Sequence, residues 1–245
     1  SCIALYFVSK LASEHVKVVL SGEGADELFG GYNIYNEPNS FKLYKRIFSQ
    51  SVRTFMAKLI KRIPFRFRGK SFIIRGALSA SEKYIGNAFM FTKEEKEKLL
   101  NDSIAATDPI DRCKEIYKKA EKYDEITKMQ CIDINMWLVG DILLKADRMS
   151  MANSLELRVP FLDKEVYKIA SVLPTNLRVT KENTKFALRN AASKRLPQET
   201  AQKRKLGFPV PTRVWLRDET YYNIVKKAFL SETAEKFFNC EELLN

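Results

Sequence analysis

One short stretch of this 245-residue chain limits its fold more than any other. Val16 to Leu20 is a β-branched, apolar run that stops at Ser21-Gly22, as a buried parallel strand does before a glycine turn. Nearly everything else reads as helix. Ile3, Leu5, Val8 and Leu11 mark a helix over 3–14, and Thr92-Lys93-Glu94-Glu95 spells a capping box whose helix ends near Leu100. From Asp124 to about Met149 the apolar residues Met129, Ile132, Met136, Val139, Ile142, Leu143 and Ala146 keep a helical period. Asp163 is placed to cap a helix that Pro174 ends, and Thr184 to Leu196 predicts another, closed by Pro197. Lys203 to Pro211 has the glycine and prolines of a loop. The expected fold is predominantly α-helical with one short parallel-type strand near 16–20. That inventory is odd for a complete α/β domain and suits the tail of one. The first residue is Ser, which fits a start inside a longer protein.

Hydrophobic residues at 45% and charged ones at 29% exclude wholesale disorder. No apolar run approaches the roughly 18 residues of a membrane span, and no charged leader with an apolar stretch opens the chain. Four widely spaced cysteines and a single histidine leave a structural zinc site without ligands. Free thiols in a reducing cytoplasm are expected instead. The net charge of +12 is partly local: residues 42–75 hold eleven Lys and Arg and no acid, interleaved with Phe and Ile. Nucleic acid or an anionic membrane surface is one reading. The preferred one is an amphipathic helical region with a solvated basic face and aromatics in the core. Gly69-Lys70-Ser71 imitates the end of a phosphate-binding loop, but Pro64 stands where the first glycine is needed.

Against that basic background, VVLSGEGADELFGGY at 18–32 gathers Glu23, Asp26 and Glu27 on a glycine-rich turn. A loop at the carboxyl end of a parallel strand lies where open α/β sheets bind ligands. Gly22 and Gly24 let the backbone approach a ligand or take positive φ. Asp26 and Glu27 suit the first turn of the next helix, where they cap it and complement its dipole. Equally, a carboxylate there can hold a divalent cation against phosphate oxygens. The G-x-G-x-x-G dinucleotide pattern is not met, because Glu27 follows at the third glycine's place. These residues alone leave capping and ligand chemistry both open. Farther on, Asp133, Trp137, Asp141, Lys145 and Arg148 form one helical stripe, read as an exposed face with an Asp141–Lys145 ion pair. Lys181, Lys185 and Arg189 share another face, either a wet basic stripe or a polyphosphate contact.

Three motifs in order, LSGEGADELFGGY, DILLKADRMSMANSLELRVPFLD and KFALRNAA…LP…RKLGFPVP, resemble the synthetase domain of glutamine-dependent asparagine synthetase. The resemblance runs from about residue 1 to 220, and 36–85 is its least characteristic part. It implies an α/β domain of the ATP-pyrophosphatase, adenine nucleotide α-hydrolase-like type. Such a domain activates the aspartate side chain as an aspartyl-adenylate with release of pyrophosphate, and ammonia from a glutaminase domain then displaces AMP. ATP and Mg²⁺ are the implied cofactors. The implied partners are these small molecules and a glutaminase domain in the same full-length chain, with no membrane, nucleic acid disfavoured and a homodimer allowed. By the same resemblance Glu23 engages the intermediate and the incoming amine, and Asp26 is the Mg²⁺ carboxylate. Ser21, Gly22 and Gly24 line the nucleotide pocket. Lys185 contacts the phosphates, and Lys205 sits near the pyrophosphate. Asp147, Arg148, Glu156 and Arg158 organise the wall of the site.

The SGGxDS phosphate loop and the N-terminal glutaminase of the family are not found in these residues. Residues 1–245 are therefore expected to be the C-terminal part of one synthetase domain, inactive alone. Related acyl-adenylate enzymes, resembling β-lactam synthetase or lasso-peptide cyclase, are the enzymatic alternative. A basic module binding nucleic acid or a partner is the non-enzymatic one.

Overall fold

The computed structural model describes residues 2–65, 67–87, 89–101, 104, 108–203, 207 and 210–244. Helix α1, Cys2–Ser13, runs into strand β1, Val18–Leu20, and then the five-residue helix α2, Ala25–Phe29. Helices α3 (Lys42–Ile47), α4 (Gln50–Lys61) and α5 (Lys70–Gly76) form the basic region. Next come α6 (Lys93–Leu99), α7 (Pro109–Lys119) and α8 (Glu125–Ile132). The helix then continues as a π-helical segment, Asp133–Leu143, and as α9, Leu144–Met151. Strand β2, Glu156–Arg158, precedes α10 (Lys164–Val172), α11 (Phe186–Ala192) and α12 (Glu219–Phe229). Shorter helical turns are given by residue range.

Helices α6, α8 and α10 carry side-chain caps at their N-termini, and those of Thr92 and Asp163 are the expected ones. Thr92 accepts from the Glu95 N–H while Glu95 returns to the Thr92 N–H, so two otherwise orphaned donors are satisfied. Asp124 caps α8 through the Ile126 and Thr127 N–H groups, and Asp163 caps α10 through that of Glu165. The helix expected over 184–196 is shorter. It begins at Phe186 because Lys185 leaves the helical region with φ 54°.

The sheet corrects two expectations. A second strand exists: β1 and β2 pair in parallel, with Val18, Val19 and Leu20 opposite Glu156, Leu157 and Arg158. The strand expected to be buried is not, since Val18 is 45% and Leu20 74% exposed. Both strands end at the same edge, and the two segments that follow them pack together. The Ser21 N–H extends the ladder to the Arg158 carbonyl at 2.8 Å.

The larger core cluster gathers Tyr35, Tyr84, Cys113, Met129 and Ile132 under α7 and α8. Met129 and Ile132 are fully buried, each contributing about 1.5–3 kcal/mol relative to exposure. A smaller cluster, Leu28, Phe29 and Ala170, packs with Phe161 and Leu162 and fixes α2 against α10.

Asp133 corrects the expected exposed stripe. It has no solvent exposure and accepts four hydrogen bonds, from the hydroxyls of Tyr35 and Tyr84 and from the backbone and side-chain N–H groups of Asn87. A carboxylate in that position ties the 32–36 turn, the 80–87 segment and the long helix to one point. The Asp141–Lys145 ion pair forms as expected, and the Lys145 ammonium lies 5.4 Å from the centre of the Trp137 ring.

Candidate active site

The SGEGADE turn leaves β1 at the sheet edge where β2 also ends. Gly24 takes φ 86° at the start of α2. It is buried, and a Cβ there would stand 2.2 Å from Leu162 Cδ2, so its lack of a side chain lets the turn seat on the segment after β2. Gly22 differs: it is exposed, with no atom within 4 Å of where its Cβ would be, so its backbone faces open space. The Ser21 N–H is committed to the ladder, which leaves its side chain and carbonyl for a ligand.

The three acids of the turn have three surroundings. Neither Asp26 nor Glu27 caps α2, whose N-cap has no side-chain hydrogen bond. Glu23 is half-buried on the turn itself. The Asp26 carboxylate folds over Gly31, whose absent Cβ would fall 1.8 Å from Oδ1. It also meets the Lys185 ammonium at 2.9 Å. The second glycine of the FGG triplet is thus room for a carboxylate, while the first, Gly30, ends α2 at φ 74°. Two motifs far apart in sequence meet in this ion pair. Both side chains keep partial exposure, 16% for Asp26 and 19% for Lys185, while the paired Asp26 Oδ1 is itself buried.

Lys185 is held where the sequence gives no hint of a constraint. Its backbone is left-handed, a conformation that costs a non-glycine residue on the order of 1 kcal/mol. The turn is stapled around it: Val179 bridges Thr184, and the Lys185 N–H reaches the Gly30 carbonyl at 3.4 Å. This geometry separates the three cations expected on one face. Lys185 turns to Asp26. Lys181 and Arg189 instead line a polar cleft of about 790 Å³ with Asn33, Asn36, Asn183 and Gln202. Arg189 is occupied there by the carbonyls of Thr184, Ala201 and Lys203.

Glu27 is the functional candidate that sequence reading passed over. It is 1% exposed, its Oε1 accepts from the Tyr32 hydroxyl at 2.6 Å, and Oε2 has no hydrogen-bond partner among the described residues. Burial, with the neighbouring charges of Asp26 and Asp133, raises its pKa above the usual carboxylate range, against the pull of the Tyr32 hydrogen bond. The Trp137 N–H donates to the Tyr32 oxygen at 3.3 Å. Behind it, Gln130 donates to the Glu27 carbonyl at 2.6 Å and accepts from Arg178, a buried guanidinium also bound to the Thr127 and Thr175 hydroxyls. The tyrosine that closes the GGY triplet and the tryptophan of the helical stripe were the available signals. Their convergence on one carboxylate depends on tertiary packing.

Of the remaining expected residues, Glu156 and Arg158 pair with each other at 2.8 Å on the exposed sheet, and Asp147 and Arg148 are exposed on α9. Lys205 lies outside the described residues. The four cysteines are free, and no group of three or more metal-ligating side chains occurs among the described residues. A magnesium ion asks for less, one or two carboxylates with phosphate oxygens and water. Asp26 supplies such a hard oxygen in a partly exposed cradle that a Cβ on Gly31 would fill, so its surroundings fit that ion.

Comparison with known proteins bears on this arrangement. The chain is 48% identical over 219 residues to glutamine-hydrolysing asparagine synthetase 1 of Bacillus subtilis (strain 168), an alignment covering 89% of this chain and 34% of that protein. It is 46% identical over 215 residues to a putative glutamine-hydrolysing asparagine synthetase of Mycobacterium bovis, covering 88% of this chain and 33% of that one. The chain therefore spans about a third of the length of the curated relatives it matches. No solved structure matches it. The family model for asparagine synthase matches residues 1–245, the whole of the sequence. With its SGEGADE turn and Lys185 brought together by the fold, this chain belongs to the asparagine synthase family.

Proposed function

We propose that the chain forms the C-terminal part of an α/β synthetase domain that makes asparagine by ATP-dependent amidation. In this reading aspartate is activated as an aspartyl-adenylate with release of pyrophosphate. Ammonia supplied by a glutaminase domain of the same protein then displaces AMP. The observation that carries the reading is the Asp26–Lys185 pair, because it sets a hard carboxylate beside an ammonium at the edge where both strands end. A polyphosphate with a divalent cation needs that combination of charges.

Asp26 is the residue that would hold Mg²⁺, and the ion would neutralise phosphate charge as pyrophosphate departs. Lys185 then exchanges Asp26 for a phosphate oxygen. Its strained backbone and the Gly30 contact restrict where the ammonium points, which is the preorganisation that favours a charged transition state. Glu23, on the same turn, faces the acyl centre and accepts a proton as the amide forms. The Ser21 carbonyl and the Gly22 N–H face the nucleotide, the Ser21 N–H and Gly22 carbonyl being bonded within the fold, and Gly24 fixes the turn from below.

The test uses the full-length protein and measures aspartate-dependent release of pyrophosphate and AMP. Lys185→Ala and Glu23→Ala are expected to lower kcat by about 10²-fold or more, the scale of losing one preorganised charge contact. The 245-residue chain alone is expected to release neither product. Retained turnover in both variants would overturn the assignment of these residues. Competing candidate amines against ammonia separates amide synthesis from ring closure of the β-lactam or lasso-peptide kind.

A further inference from the structure

We infer that the outward face of α3 and α4 is a docking surface for an anionic lipid bilayer. The structure sorts the basic stretch 42–75 into two sets. Arg53 is buried, donating to the Gly76 carbonyl at 3.3 Å and to Gln50. Arg75 binds Glu37, and Lys70 ties the 63–65 backbone together. These three hold the region's shape. Lys42, Arg46, Lys58, Lys61, Arg62 and Arg68 are exposed.

The aromatics divide in the same way, against the expectation that they form core. Phe41 and Tyr44 are buried, stacking on Phe72 at 4.8 and 5.6 Å. On the outside, Leu43 is 68%, Ile47 62%, Phe55 68% and Leu59 56% exposed. Val52, Phe55 and Leu59 fall at i, i+3 and i+7, so α4 carries an apolar stripe pointing away from its own core residues, Arg53 and Ala57. Lys58 and Arg62 border that stripe. A helix with an apolar outer stripe and a cationic margin is the chemistry of an interfacial segment, which buries its apolar side at the headgroup boundary and pairs Lys and Arg with anionic lipid.

The same facts disfavour other occupants. A two-fold contact would set this acid-free basic patch against its own copy. Single-stranded nucleic acid gains from stacking on aromatic faces, whereas four of the five exposed large apolar side chains on α3 and α4 are aliphatic. The inference departs from the absence of a membrane partner expected from sequence. It concerns peripheral contact only, since no helix among the described residues is long and apolar enough to cross a membrane.

The experiment is co-sedimentation of the 245-residue chain and of the full-length protein with two kinds of vesicle. One is phosphatidylcholine alone, the other phosphatidylcholine with about a third phosphatidylglycerol. Partitioning at least about tenfold stronger onto the anionic vesicles is expected, falling as salt rises. Phe55→Ser with Leu59→Ser should lower it about tenfold, and so should Lys58→Glu with Arg62→Glu, each with unchanged Tm and far-ultraviolet circular dichroism. The second pair keeps the test decisive if the first fails to fold. Equal binding to both vesicles overturns the inference, as does indifference to the apolar pair. So does equally tight binding of an oligo-dT that ignores the apolar pair, self-association that both pairs abolish, or loss of vesicle binding in the full-length protein.

Discussion

Replacing Gly31 with alanine tests the geometry of the candidate site with a single methyl group. The new Cβ would stand 1.8 Å from Asp26 Oδ1, 2.7 Å from Cγ and 2.9 Å from the Asp26 Cα. Gly31 has no left-handed φ, so backbone strain does not enter and the cost is steric. Ordinary van der Waals separation requires the carboxylate to swing away from Lys185 and the turn to give as well. Overpacking of this kind costs about 1–3 kcal/mol. Loss of a partly exposed ion pair adds up to about 1 kcal/mol. The expected loss is about 1–4 kcal/mol, which for a chain of this size lowers Tm by roughly 2–16 °C. Two of the three close contacts belong to the carboxylate, so Asp26→Ala should remove part of the penalty. A double-mutant cycle of Gly31→Ala and Asp26→Ala, followed by urea unfolding, should show coupling of about 1–2 kcal/mol. Additive effects, or a Gly31→Ala chain as stable as the parent, would refute the placement of Asp26 over Gly31.

Glu27→Gln should alter the pH dependence of stability in a definite direction. The raised native pKa of Glu27 means that its stabilising contribution is complete below about pH 4.3 and is lost as pH rises through the native value. The stability of the parent relative to Glu27→Gln, from urea unfolding at stepped pH, should therefore fall from acid toward neutral pH; a flat or rising difference contradicts the buried, one-partner carboxyl. Asp133→Ala strands two buried hydroxyls and two partly buried amide donors, and should cost about 3–5 kcal/mol by the same unfolding assay. Thiol titration with a disulfide reagent should find Cys2 reacting at once and Cys113 only on unfolding, because Cys113 is fully buried and burial raises its pKa.

Local chemistry carried most of what sequence revealed. Thr92, Asp124 and Asp163 name helix starts because a cap is a contract between residues two or three apart. β1 was legible from its branched side chains and the glycine after it. β2 was not: Glu-Leu-Arg has no strand signature, and its pairing with β1 depends on a partner more than a hundred residues away. Asp133 read as a solvent-facing charge because spacing reports a face, never which face meets Tyr35 and Tyr84. The turn's three acids looked alike in sequence. Their separation into a half-buried Glu23, an ion-paired Asp26 and a buried Glu27 comes from Gly31, Lys185 and Tyr32, each supplied by tertiary folding. The left-handed backbone at Lys185 left no trace, since lysine carries no preference for it.

The three-rung ladder between β1 and β2 has a kinetic consequence. Closing so long a loop is entropically expensive, and three pairs return little until Leu162 seats against Gly24 and Lys185 reaches Asp26. Contacts of such high contact order form late, after the locally capped helices. The site is then expected to open while α7 and α8 hold their core. A slip of one residue in so short a ladder would turn Val19 to the opposite face and carry Glu23 out of register. Substitutions at Leu162 should thus be felt as lost chemistry before they are felt as lost helix.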